Sequence, residues 1–213
     1  MPARPEAGHC IVVHGLWMTG LELLPLRQRL QSDFGFATHQ FHYSGLFADE
    51  AGTAARLAAL AHSLSAPVHF LGHSLGGLLI LDLFERQGAS LPPGRVVLMG
   101  SPVNGAEAAR TVVGWPGMRT LLGAMPHRQL VEPPRRVWRQ ARELGVIAGT
   151  TALGLGLVTG GFDGPSDGTV QVAETLLEGR TAMVTLPVAH AGMGISKEVA
   201  HQAGTFLATG QFA

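Results

Sequence analysis

Val68-His69-Phe70-Leu71-Gly72-His73-Ser74-Leu75-Gly76-Gly77 decides how the chain is read: an apolar, β-type run ends in G-x-S-x-G and a helical pattern begins at once. A strand that turns sharply into a helix holds its serine in an unfavourable backbone conformation with Oγ exposed at the tip. The flanking glycines remove Cβ atoms that would collide there. In a chain with 29 glycines a plain Gly/Ser turn is the alternative. The long apolar stretch from Leu75 to Phe84 argues against it, because it has the length and hydrophobicity of a buried helix.

Outward from this stretch, short apolar runs alternate with helical patterns. Strands are expected at Ile11–Val13, Ala37–Tyr43, Arg95–Gly100, Val146–Thr150 and Ala182–Leu186. Helices are expected around Leu23, Leu26 and Leu30, over Ala54–Leu64, after Ser74, and over Lys197–Leu207. This alternation predicts an α/β fold: a mostly parallel sheet of about six strands, helices on both faces, right-handed crossovers, and a site at the carboxyl ends of the strands. No repeat or linker interrupts residues 1–213, so a single domain is expected. Between about 106 and 144, prolines break the chain into short segments carrying Trp115, Met118, Leu121, Leu122, Met125 and Trp138. That insertion is a candidate cap or lid; its apolar residues either line an acyl pocket or pack the segment onto the body. Ser101-Pro102-Val103-Asn104-Gly105 either shapes the pocket floor or is an ordinary turn with Ser101 or Asn104 as a helix cap.

Composition narrows the partners. Lys plus Arg equals Asp plus Glu at 15 each, which gives no electrostatic case for nucleic acid or a polyanionic substrate. Cys10 is the single cysteine and reads as a small buried hydrophobe. Residues Met1–Gly8 lack an apolar core of the signal-peptide kind, so a cytoplasmic location is expected. Gly145 to Phe162 carries two G-x-x-x-G pairs, but its glycines and threonines make a poor helix. It divides into a strand and a glycine-rich loop, and no membrane span is expected.

A serine hydroxyl needs a histidine to take its proton and a carboxylate to orient that histidine. In doubly wound hydrolases these follow in the order Ser, acid, His, the last two on loops after late strands. Asp167 and His190 occupy those places. Asp163 lies in the same loop; Asp167 is preferred because Ser166-Asp167-Gly168-Thr169-Val170 combines a tight turn with a return to regular structure. Among the other histidines, His201 sits within the last helix and His14 is read as a local hydrogen-bonding residue of the loop after the first strand. No histidine pair has metal-site spacing, so neither a metal nor a cofactor is expected. The backbone amides of Leu16 and Leu75 are the candidate oxyanion donors.

His14-Gly15-Leu16, Gly72-His73-Ser74-Leu75-Gly76-Gly77, Asp167-Gly168-Thr169-Val170 and His190 together resemble the α/β-hydrolase superfamily, and within it small bacterial lipases and esterases and the PGAP1-like hydrolases. The resemblance runs from about Ile11 to Phe206. It implies a triad of Ser74, Asp167 and His190, an oxyanion hole from Leu16 and Leu75, and hydrolysis of a small acyl ester through an acyl-enzyme. A thioesterase, amidase or acyltransferase would use the same residues, and a non-catalytic ligand-binding module would keep the fold. The expected sheet lacks the early antiparallel pair of the usual eight-stranded form.

Overall fold

The computed structural model describes residues 8–44, 49–159 and 161–213. Six strands, β1 (His9–Val13), β2 (Ala37–Phe41), β3 (Val68–His73), β4 (Val96–Met99), β5 (Leu144–Gly149) and β6 (Ala182–Leu186), form one sheet in the order β2-β1-β3-β4-β5-β6. Every pairing is parallel. The helices are α1 (Leu24–Phe34), α2 (Glu50–His62), α3 (Leu75–Gln87), α4 (Glu107–Val113), α5 (Met118–Leu122), α6 (Ala124–Leu130), α7 (Gly156–Thr159) and α8 (Lys197–Thr209).

The central strands are apolar at nearly every position because both faces of the sheet are covered. Alternate residues of β1 show this directly. Ile11 and Val13 join Phe70 and Leu98 in a core closed by α2 and α3, while Cys10 and Val12 join Leu71, Val97 and Ile147 in a second core closed by α1 and α8. Cys10 is fully buried and unpaired, and burial pushes its thiol up to about 12.

Helix α3 leaves β3 at Ser74 and runs back across the middle of the sheet. Its first turn presses so closely on β1 that a Cβ on Gly76 would stand 2.2 Å from the Val13 carbonyl oxygen. Only glycine fits there.

Several element boundaries shift by one to four residues from the sequence reading, and two of the shifts have a visible cause. Helix α2 starts at Glu50, because the Asp49 carboxylate accepts a hydrogen bond from Gly52 N–H at 2.6 Å and caps the first turn. Strand β5 starts at Leu144, whose carbonyl accepts from Thr181 N–H at 2.8 Å ahead of β6. Among the described residues from Gly145 to Phe162, β5 and the single turn of α7 are the regular elements, and no helix among the described residues of the chain is long and apolar enough to cross a membrane.

Between β4 and β5 the candidate cap resolves into α4, α5 and α6, separated at Gly114–Gly117 and Gly123. It is tied down by charge: Glu50, buried on α2, receives Arg128 and Gln129 of α6, each donating to Oε1 at 3.0 Å. Trp138 packs edge-on against Phe84 of α3.

Candidate active site

All the predicted site residues lie at the carboxyl ends of the strands. Ser74 has φ 54° and ψ −123°, a conformation that costs a non-glycine residue about 1–3 kcal/mol and persists only when the surrounding fold imposes it. Here the imposition is visible. Ser74 N–H donates to the Met99 carbonyl of β4 at 2.9 Å, and the Ser74 carbonyl accepts from Gly77 N–H at 3.1 Å.

His190 follows β6 and opens one short helical turn. Its Nδ1 lies 2.7 Å from Oδ2 of Asp167, and its main-chain N–H donates to the Asp167 carbonyl at 2.9 Å. The other carboxylate oxygen of Asp167 accepts from Thr169 N–H at 2.9 Å and Val170 N–H at 2.7 Å. With its side chain only 1% exposed, Asp167 is held rigidly behind the imidazole. Asp163 is exposed on the same loop. Room for the acid and the imidazole comes from Gly100 at the end of β4: a Cβ there would approach Asp167 Oδ2 to 3.0 Å and His190 Nδ1 to 3.1 Å.

Ser74 and His190 open onto one cavity of about 430 Å3, within the usual range for small-molecule sites. Its walls are mainly apolar, with Leu16 from the loop after β1 and Ala106, Ala109, Val112, Leu122 and Leu130 from the segment between β4 and β5. Thus α4, α5 and α6 both line the pocket and pack on the body, whereas Trp115 and Leu121 stay exposed. Pro102 reaches the pocket. Ser101 is buried beside Gly77 and Asn104 Nδ2 donates to the carbonyls of Ala173 and Leu176. Neither caps α4, whose N-cap residue is Ala106.

The loop from His14 to Leu16 lies directly against the serine, since a Cβ on Gly15 would come within 3.1 Å of Ser74 Cβ. His14 is fixed in place by Nδ1–H donation to the Gly15 carbonyl at 2.9 Å and by stacking on Tyr43; burial lowers its pKa. Among the described residues, the amides of Leu16 and Leu75 donate to no main-chain carbonyl. Leu75 opens α3, where unsatisfied amides favour a developing negative charge.

Two participants escaped the sequence reading. Trp17 lines the pocket, is 54% exposed, and with φ 57° is, besides Ser74, the other described non-glycine residue with positive φ. No residue pattern announces such a conformation in a tryptophan. His73, beside the serine, is buried against the His190 ring; its place in the G-x-S-x-G stretch was the available signal. A larger, open cavity of about 890 Å3 lies at the amino ends of β3 and β4, between Pro67, His69, Arg95 and Arg142. None of the predicted site residues lines it.

The model of the Alpha/beta hydrolase family matches residues 10–196. The chain belongs to this family. Among solved structures, the hydrolase is similar to the mature lipase BlEst2 of Bacillus licheniformis, with a TM-score of 0.69, 21% identity, and 97% of this chain and 91% of that one covered. It is also similar to the thioesterase RedJ of Streptomyces coelicolor, with a TM-score of 0.60, 14% identity, and coverage of 98% and 89%. A third likeness is to the pyrethroid hydrolase PytH, with a TM-score of 0.64, 15% identity, and coverage of 95% and 98%. At these identities the likeness is one of fold. No curated protein matches the sequence.

Proposed function

We propose that this protein is a serine hydrolase that cleaves carboxylic esters with an apolar acyl group through an acyl-enzyme on Ser74. The observation that carries the reading is the 2.7 Å contact of His190 Nδ1 with buried Asp167, made by an imidazole that shares an apolar pocket with a strained serine. Asp167, accepting from two backbone amides, stays an acceptor and fixes the proton of His190 on Nδ1, leaving Nε2 as the base.

Ser74 Oγ attacks the acyl carbonyl while His190 Nε2 takes its proton. The carbonyl oxygen becomes an oxyanion, which the amides of Leu16 and Leu75 stabilise, a contribution of about 3–4 kcal/mol per donor in comparable sites. Collapse of the intermediate expels the alcohol, protonated by His190, and leaves the acyl group on Ser74. Water, deprotonated by the same imidazole, attacks the ester, and the acid departs as Ser74 recovers its proton. The segment 106–144 acts as a cap whose α4, α5 and α6 hold the acyl chain. No cofactor enters this scheme.

A fluorophosphonate probe tests the reading when applied to wild type and Ser74→Ala, with the modified peptide mapped by mass spectrometry. Labelling of wild type at Ser74 and none of the variant is expected, together with turnover of p-nitrophenyl esters. Comparing oxygen esters with thioesters of the same acyl group then separates esterase from thioesterase. Folded wild type that neither labels nor hydrolyses any acyl donor would make the pocket a binding site instead.

A further inference from the structure

His73 ends β3 immediately before the serine and is 2% exposed. Its Nε2 lies 3.2 Å from the main-chain carbonyl oxygen of His190, and the two rings stand 4.7 Å apart between centroids. A carbonyl only accepts, so the contact requires the proton on Nε2. That leaves Nδ1 bare; it has no partner among the described residues and faces Gly15, whose Cβ would come within 3.2 Å of it. The same carbonyl takes a weaker contact from Met193 N–H at 3.3 Å.

The backbone of His190 is therefore tethered on both sides. Its N–H is held by the Asp167 carbonyl and its C=O by the His73 side chain, while Asp167 Oδ2 holds the ring. We propose that His73 is a positioning residue: as a neutral Nε2–H donor it fixes the main chain of His190 so that the imidazole keeps its aim at Ser74. The proposal rests on the roles given above to Ser74, Asp167 and His190.

A hydrogen-bonding histidine suits this place only if it stays uncharged, because His190 becomes an imidazolium during the reaction and a second cation in ring contact would oppose it. Burial first, and then the nearby His190 ring, depress the His73 pKa to about 3, opposed in part by the bond to the His190 carbonyl, with His14 adding a smaller push in the same direction as burial. The Glu22 carboxylate, which lines the pocket, is engaged by Gly20 N–H at 2.9 Å, and Asp167, buried behind His190, is spent on that ring and its own loop. His73 thus remains a neutral donor down to well below the ordinary histidine value.

The test compares His73→Leu, which removes the donor, with His73→Gln, whose amide carries an N–H to the same region. With p-nitrophenyl butyrate, His73→Leu is expected to lose about 10- to 100-fold in kcat with KM changed less than about threefold, the size of penalty that a small misplacement of a catalytic group brings. His73→Gln is expected to recover most of the loss. A folded His73→Leu with wild-type kcat, or a His73→Gln as impaired as His73→Leu, overturns the proposal.

Nitrogen-15 NMR of the imidazoles in unmodified protein decides independently of whether His73→Leu folds. A neutral His73 protonated on Nε2 between about pH 5 and 8 is expected; a charged ring or the Nδ1–H form there refutes the contact. If wild type shows that tautomer but fails to label with fluorophosphonate, the hydrolase reading has failed and the contact has not.

Discussion

Replacing Asp167 by asparagine isolates one proton. Oδ1 of Asp167 accepts from two backbone amides, Thr169 and Val170, at 2.9 and 2.7 Å, so the asparagine oxygen must take that side. Its amide group is then the atom facing His190 Nδ1 at about the present 2.7 Å separation. Two donors cannot share that contact, so the imidazole gives up its Nδ1 proton and carries it on Nε2, where it blocks removal of the proton from Ser74. The loop stays folded and the geometry survives, but the base is in the wrong tautomer. A loss of about three to four powers of ten in kcat is expected, which is about 4–5.5 kcal/mol of transition-state stabilisation. The assay is steady-state hydrolysis of p-nitrophenyl butyrate at neutral pH, with Asp163→Asn as the matched control and expected to behave as wild type. An Asp167→Asn enzyme that is folded and keeps more than about a tenth of wild-type kcat would refute the reasoning, as would collapse of activity in Asp163→Asn alone.

Gly76→Ala sets a methyl 2.2 Å from the Val13 carbonyl and 2.5 Å from that of His14; both are backbone atoms that cannot turn aside. It is expected to destabilise by about 3 kcal/mol or to prevent folding, read as a fall in the urea midpoint. Ala109→Phe fills the pocket from the cap side, and kcat/KM for an octanoyl ester should drop about 10- to 100-fold relative to an acetyl ester. Equal loss on both esters would place the acyl chain elsewhere. Stability should weaken in acid, because burial holds His69 at about 4 and His73 at about 3, below the ordinary 6.5. Unfolding then takes up protons that the native state excludes. Their contribution is complete above about pH 6.5 and is lost as pH falls through 4 to 3, and urea titrations at stepped pH check it.

The sheet was legible because its strands are buried on both faces and so appear as unbroken apolar runs such as Cys10–Val13 and Val96–Met99. Ser74 was legible for a different reason: the glycines around it answer to close atoms of α3, β1 and β4, and that demand leaves a local pattern. Asp167 could be ranked above Asp163 from its turn, whose Thr169 and Val170 amides hold it, but its contact with His190, 23 positions away, forms only in three dimensions. What the residues concealed depends on contacts distant in sequence. Glu50 and Arg128 lie on separate helices that meet only in the fold, and His73 reaches a carbonyl 117 positions away. Trp17 adopts a left-handed conformation that its side chain does nothing to signal.

The central claim is that acyl groups pass through Ser74, and rapid mixing with excess p-nitrophenyl butyrate followed by intact-protein mass spectrometry tests it most directly. The account predicts a burst of p-nitrophenolate approaching one equivalent wherever deacylation is the slower step, and a butyryl adduct that maps to Ser74 and is absent from Ser74→Ala. Turnover at an undiminished rate by Ser74→Ala, or an adduct on any other residue, would contradict it.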